Sequence, residues 1–295
     1  MHFSTPADTA AWLQQTATEF MKGPANDLHM PTGPEPAWGT PFIGFAAGDD
    51  PLWDSYKDHV GEFHWTPSEA FAIAYPDEKF SASELTVMSW ILPQTDATRR
   101  DHKKEKVVPS ERWARSRIFG ENHGNRGLRK HMVDVLRENG VQAVAPHLLE
   151  EWQQIDAGKY LFASTWSERH AAYAAGLGTF GLCDGLITPV GKSMRTGSIV
   201  MRLNVPITER PYTHHKEYCL FYSSGGICGV CIKRCPAGAL SEAGHDKPKC
   251  RAYVREVTKP HVRNTWNFDG YGCGFCQVNV PCEKGIPPRP KRKEA

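Results

Sequence analysis

Cys219-Leu-Phe-Tyr-Ser-Ser-Gly-Gly-Ile-Cys228-Gly-Val-Cys231-Ile-Lys-Arg-Cys235-Pro236 carries four of the chain's nine cysteines, and Cys250, Cys273, Cys276 and Cys282 follow it. A short C-x2-C loop lets two thiolates converge on neighbouring metal atoms while backbone N–H groups turn toward bridging sulfides. Gly229 and Gly274 sit inside the two loops of this kind, and Pro236 ends the first run and turns the chain away.

The C-x2-C-x3-C-P step has the bacterial ferredoxin spacing, in which the cysteine before the proline serves the other cluster. That crossing assigns Cys219, Cys228, Cys231 and Cys282 to one [4Fe-4S] cluster, and Cys235, Cys250, Cys273 and Cys276 to a second. The long interval from Cys219 to Cys228, with Ser223, Ser224, Gly225 and Gly226 inside it, reads as a loop insertion, as does the interval from Cys276 to Cys282. Zinc ribbons pair one C-x2-C with another and do not need the C-x3-C-P step, so the pattern favours clusters over zinc. Disulfides fit poorly, because Met1 to Met21 shows neither a basic segment leading into an apolar one nor a twin arginine. The expected setting is cytoplasmic, where thiols stay reduced. Cys183 stands apart from both runs and reads as a small buried side chain, with a catalytic thiol as the alternative.

With 295 residues the chain can bury a substantial core, and the division expected is a large domain over 1–212 followed by a small two-cluster ferredoxin-like domain over 213–295. No apolar run is long enough to cross a bilayer, so no membrane association is expected. The formal charge of +2 argues against a dedicated nucleic-acid surface. Eight thiolates and two oxidised cubanes would bring the loaded chain to about −2. Arg289, Lys291, Arg292 and Lys293 lie among prolines and read as a solvated tail.

The first part alternates helical and strand-like segments, as expected of an α/β (α+β) domain. Leu85 to Leu92 (LTVMSWIL), closed by Pro93, reads as a buried strand. Leu128, Met132, Val135 and Leu136 line one face of a helix from about Arg126 to Asn139, with Gly140 placed to cap it, and Val141 to Ala145 reads as the next strand. Between them Arg99 to Lys106 is strongly basic; its composition predicts a solvated, mobile loop, with a lid or a dock for an acidic redox partner as the functional alternative.

Ser164 to Val200 is the other dense segment. Thr165 and Glu168 have capping-box spacing, which predicts a helix from near Trp166. Gly176, Gly178 and Gly181 follow that alanine-rich helix, which is the wrong context for a dinucleotide fingerprint; they suit close backbone approach and a loop lining a cofactor. Gly197 to Val205 reads as the strand leading toward the cysteines. Glu168 is a cap or a catalytic acid, and Tyr173, one turn from Arg169, is a phenolic proton donor or an interfacial aromatic. Lys192 and Arg195 suit a phosphate or amide edge, or else loop surface, while His123, His170, His214 and His215 show no ligand pattern and read as surface histidines.

Ala175-Gly-Leu-Gly178, Gly185-Leu-Ile-Thr-Pro189, the C-G-x-C-x3-C-P run and Tyr271-Gly-Cys-Gly-Phe-Cys-Gln277 together resemble the epoxyqueuosine reductase and reductive dehalogenase superfamily. The resemblance spans about Leu85 to Pro287. It implies a base-off cobalamin bound against the large domain, with Arg169, Gly176, Gly178, Gly181, Lys192 and Arg195 as its contacts and two clusters feeding the cobalt. It also implies reductive removal of an oxygen or halogen leaving group from a small or nucleoside-like substrate. A low-potential donor such as ferredoxin or flavodoxin would supply the electrons. The chain departs from the pattern at Phe162, where epoxyqueuosine reductases carry a proton-donating aspartate, and at Leu182, where the superfamily carries lysine or arginine. The helical-repeat region with which those reductases contact tRNA is not seen here, so tRNA is not the expected partner. The competing expectation is a two-cluster electron-transfer protein whose large domain binds a partner or another cofactor without chemistry of its own.

Overall fold

The computed structural model describes residues 5–156 and 161–289. Helix α1 (Pro6–Lys22) opens with proline in its first turn and with Thr5, whose side chain accepts the Asp8 N–H. Strand β1 (Phe42–Ala47), helices α2 (Leu52–His59) and α3 (Pro67–Ala74), and strand β2 (Thr86–Pro93) follow. Next come α4 (Asp96–Lys104) and α5 (Glu111–Arg115), which runs through a π-helical stretch, Ser116–Asn125, into α6 (Arg126–Glu138). Strand β3 (Ala143–Val144), the hairpin of β4 (Gln154–Ile155) and β5 (Ala163–Ser164), and helix α7 (Glu168–Ala174) precede the hairpin of β6 (Thr179–Phe180) and β7 (Leu186–Ile187). Strand β8 (Met194–Met201) completes the sheet.

Neighbouring strands are antiparallel in the order β1-β2-β8-β3, so β2 and β3, the strand-helix-strand succession read from sequence, run parallel to each other with β8 inserted between them. β2 is buried almost throughout because it is central and covered on both faces. Met88, Trp90 and Leu92 face α1 and α6 with Leu13, Ala17, Leu128 and Met132, whereas Val87 and Ile91 face α2, α3 and α7 with Trp53, Phe71 and Ala171. Strand periodicity thus divides one apolar run between two cores. Opposite Trp90 stands Gly197, where a Cβ would meet the indole at 2.5 Å. The helix and the buried strand predicted around Arg126 and Leu85 are present, while the strand expected from Gly197 to Val205 begins earlier and ends at Met201.

Among the described residues no helix is long and apolar enough to cross a membrane. The cysteine-rich part contains α8 (Leu220–Ser223), α9 (Val230–Arg234), the hairpin of β9 (Leu240–Ser241) and β10 (Gly244–His245), α10 (Lys247–Tyr253) and α11 (Lys259–Trp266). Of the expected basic tail, Arg289 pairs with Glu217 at 3.4 Å; Lys291, Arg292 and Lys293 lie outside the described residues.

The basic stretch from Arg99 is not the mobile loop its composition predicts. Its residues to Lys104 form α4, capped by Thr95, and His102 is fully buried between Trp113 (centroids 4.4 Å apart) and Phe275 (4.7 Å). Lys103 reaches Glu283 at 3.2 Å and Lys284 reaches Asp96 at 2.6 Å. The charges dock α4 onto the cysteine-rich segment, and one imidazole anchors it.

Candidate functional site

Of the eight cysteines expected as ligands, Cys219, Cys231, Cys282, Cys235 and Cys276 pack in one cluster with the ninth, Cys183. Cys282 acts electrostatically on Cys231, and Cys219 acts on both. Separately, Cys250 and Cys235 act on Cys273. The thiols are therefore neighbours in the crossed sense, Cys282 beside the first run and Cys235 beside the second. Cys228, at the edge, and Cys276, next to Cys273, complete the two sets by sequence. Among the described residues no three metal-binding side chains converge closely enough to grip a single ion, so the two sets are groups of neighbours and not finished mononuclear sites. Their donor chemistry, thiol sulfur in two groups of four, fits iron-sulfur clusters.

Local structure explains how the loops reach these positions. Gly274 has φ +73°, and a Cβ on it would meet the Trp113 indole at 2.0 Å, so only glycine lets the second C-x2-C loop turn against α5. Gly229 heads α9 with an ordinary negative φ, so it is not needed for the turn of the first loop. Ala239 N–H donates to the Cys235 sulfur at 3.3 Å, a contact made as the chain turns after Pro236. As free thiols Cys231 and Cys273 are held protonated: burial pushes Cys231 up to about 11 and Cys273 up to about 12.

Cys183 is buried as expected, but it is not an isolated core thiol. It packs with Cys219, Cys231 and Cys282 and against Cys235 and Cys276, and the influence of Cys276 and of Lys192 draws its proton affinity well below that of an ordinary thiol. Lys192 is the main correction to the expected cofactor contacts. It is 3% exposed and its ammonium stands among the sulfurs of Cys183, Cys282, Cys276 and Cys231, where it cannot edge a corrinoid phosphate. Arg195 pairs with Glu121 at 3.4 Å. Cβ atoms on Gly176 and Gly178 would meet the carbonyl oxygens of Glu209 at 2.6 Å and Ile187 at 2.2 Å, so these glycines accommodate the protein's own backbone; Gly181 faces Gly185 at 3.3 Å. Arg169 remains accessible and donates to the Asp184 carbonyl at 2.8 Å. The six predicted contacts do not assemble into a corrinoid cradle.

The capping box is also overturned. Helix α7 begins at Glu168 with Ser167 as an N-cap whose side chain makes no capping bond to the helix backbone. Thr165 is drawn instead toward residue 153, whose N–H it accepts at 3.1 Å. Glu168 accepts from buried Arg129 at 2.9 Å and from Ser198, which ties α7 to α6 and β8. Burial raises its pKa while Arg129 pulls it down. Tyr173 is a partly buried aromatic against Phe180 and Tyr212 (centroids 5.8 and 5.0 Å), and burial raises its phenol. Phe162, in a left-handed conformation (φ +67°), lies under the Arg251 guanidinium at 4.4 Å, and Arg251 pairs with Asp156 at 2.9 Å.

Sequence reasoning missed two histidine sites. His245 is fixed by Asp184 at 3.0 Å and shares a hydrogen bond with Cys250. His170, expected at the surface, is half-buried and bonds Ser167 at 2.7 Å; its ring packs 5.8 Å from that of His64, whose two nitrogens are buried without partners. A Ser three residues before His170 is a weak local signal for that bond, and His64 has none.

No family model matches the chain. A stretch of 125 residues is 29% identical to an epoxyqueuosine reductase of Staphylococcus aureus, covering 41% of this chain and 30% of that protein. Another of 64 residues is 34% identical to an uncharacterised protein of Geobacillus stearothermophilus, covering 20% and 30%. The matched stretches thus span about 30% of the length of each curated relative. Among solved structures, epoxyqueuosine reductase with an epoxyqueuosine-modified tRNA-Tyr stem loop aligns over 96% of this chain and 67% of its own, at 18% identity and a TM-score of 0.53. The catabolic reductive dehalogenase NpRdhA aligns over 97% and 33%, at 14% identity and a TM-score of 0.54. A reductive dehalogenase described for B12-dependent dehalogenation aligns over 94% and 32%, at 14% and 0.52. The chain has the fold these reductases and dehalogenases share, from the sheet through the cysteine-rich segment.

Proposed function

We propose that this chain, built on the fold of the epoxyqueuosine reductases and reductive dehalogenases, is an iron-sulfur reductase. In this reading two [4Fe-4S] clusters feed a base-off cobalamin for reductive removal of an oxygen or halogen leaving group. The observation that carries the cluster half is the crossed neighbourhood of the thiols, Cys282 with Cys219 and Cys231 and Cys235 with Cys250 and Cys273. Cys219, Cys228, Cys231 and Cys282 would hold the first cluster; Cys235, Cys250, Cys273 and Cys276 would hold the second. Bound there, the clusters supply one-electron transfer at low potential.

The chain's own residues then have defined tasks. Trp113, His102 and Phe275 stack beside the second C-x2-C loop and keep water from it. Asp184 holds His245 against Cys250. Tyr173 is the proton donor we favour, because Glu168 is spent on Arg129 and Ser198 and Phe162 cannot give a proton. The cobalamin assignment rests on the fold and the sequence resemblance, and no step is drawn through it. The electron donor would be a ferredoxin or flavodoxin, and the substrate a small organic or nucleoside-like molecule. The tRNA stem loop belongs to the similar reductase.

The engagement of Lys192, Arg195, Gly176 and Gly178 in protein contacts favours a second reading, a two-cluster electron carrier whose large domain binds something else. One anaerobic sample separates the two. After cluster reconstitution and iron and sulfide analysis, cobalamin is added and followed by visible and electron paramagnetic resonance spectra. A bound base-off cob(II)alamin signal that vanishes on reduction is the expected result; cobalamin that stays base-on over a wide concentration range rejects the corrinoid reductase and leaves the carrier.

A further inference from the structure

The loop bearing Lys192 is pressed onto the chain just after Cys282. Gly191 has φ +94°, and a Cβ there would meet the Glu283 carbonyl oxygen at 2.1 Å. The Lys192 N–H donates to the Cys282 carbonyl at 2.8 Å, so the lysine backbone is tied to a cysteine of the first set. Its side chain is buried, and the four groups that act on the ammonium most strongly, after desolvation, are all cysteines. Cys282 and Cys231 belong to the first set and Cys276 to the second. Cys183, outside both, packs in one cluster with Cys219, Cys231 and Cys282 of the first set and against Cys235 and Cys276 of the second. Gly185 makes room for this convergence: a Cβ on it would meet Lys192 Cδ at 3.2 Å and the Cys183 sulfur at 3.3 Å.

A buried ammonium needs compensating negative charge, and its neighbour Cys183, whose proton affinity is lowered, supplies it on one side. Cluster-bound thiolates would supply it from both sets. Two cubanes with four thiolates each are both anionic, and each electron adds further negative charge, so a cation between them favours the reduced state of both.

We propose that Lys192 is a positioning cation shared by the two clusters, with Cys183 as the thiol packed between it and the second and not a ligand of either. This rests on the two-cluster reading above and adds to it a residue that sets how readily both clusters accept electrons.

The test uses the full chain with reconstituted clusters, comparing wild type with Lys192→Met, Lys192→Arg and Cys183→Ala by iron and sulfide analysis and by redox titration followed by electron paramagnetic resonance. Lys192→Met is expected to disfavour reduction of both clusters by about tenfold, or ~59 mV for a one-electron step. Lys192→Arg is expected to stay within about threefold of wild type, or ~30 mV on the same scale. Cys183→Ala is expected to keep all the iron and to shift the second cluster alone. Potentials unmoved in Lys192→Met, or a shift in only one cluster, overturn the shared role. Iron lost from Cys183→Ala makes that residue a ligand and overturns its part. If Lys192→Met assembles no clusters, the Cys183→Ala titration decides, and an unmoved second potential there overturns the proposal. Wild-type protein that binds no iron overturns the reductase reading and this inference together, whereas a fully loaded wild type with unmoved variants overturns only this one.

Discussion

Acidification tests the packing beneath α7 through one side chain. His64 is 1% exposed, lies among Tyr56, Trp166 and His170, and has no hydrogen-bond partner on either nitrogen. Burial, helped by Lys57 from α2 and opposed by Glu69 from α3, pulls its pKa from 6.5 to about 4. A histidine whose folded pKa is depressed binds fewer protons in the folded chain than in the unfolded one. Its contribution is fully present above 6.5 and is lost as the pH falls through 6.5 toward 4. Moving from about pH 7.5 to about pH 5.5 protonates the unfolded imidazole roughly tenfold over neutral while the folded one stays neutral, a loss of about 1.4 kcal/mol. That figure requires only a folded pKa below the final pH. The assay is urea unfolding of wild type and His64→Leu at both pH values. Leucine fills a similar volume and cannot titrate, so the stability gap between the two proteins should move by about 1.4 kcal/mol in favour of the variant at the lower pH. His170, depressed in the same direction, contributes to both proteins and cancels in the difference. A gap that does not change with pH would refute the neutral, unpartnered His64.

Arg129→Met leaves Glu168 buried without its cation and is expected to destabilise by about 3–5 kcal/mol, whereas Glu168→Gln keeps the Ser198 contact and destabilises less; thermal melts of both check the order. Gly274→Ala pushes a methyl into Trp113 and forces an L-residue to positive φ, together about 2–4 kcal/mol, and should lower cluster content as well as melting temperature. For the crossed pairing, Cys235→Ser and Cys250→Ser should each remove about half the iron and remove no more when combined, while Cys235→Ser with Cys231→Ser should remove nearly all of it; iron analysis of the double variants showing the reverse would reject the crossing. Phe162→Asp should leave the melting temperature unchanged or slightly raised, because aspartate tolerates the left-handed backbone and can pair with Arg251; a loss as large as a core deletion would show that the ring itself is required.

What could be read from the sequence is what short-range spacing encodes. The cysteine intervals carried the expectation of crossed sets, and the alternation in Thr86–Pro93 carried a strand between two cores. What could not be read depends on which long-range contact wins. Thr165 and Glu168 satisfy a local capping rule, yet residue 153 claims the first and Arg129 the second. In α4 the surrounding charges hide a single imidazole whose burial between Trp113 and Phe275 decides where the helix goes. Thr95, whose side chain caps α4, is a local helix-start signal that a reading from composition passes over.

Phe162 and Lys192 bear on one question, which half of this scaffold has been altered. Phe162 keeps a backbone conformation that suits aspartate or asparagine better than phenylalanine, so at that position the side chain differs while the loop geometry remains compatible with the acid. Lys192 instead lies where sulfurs of both cysteine sets meet, in a loop that can be there only because Gly191 accepts the Glu283 backbone. In the two-cluster reading proposed above, an ammonium there would meet cluster thiolates from both sets, and the catalytic question narrows to whether Tyr173 takes the part that Phe162 cannot.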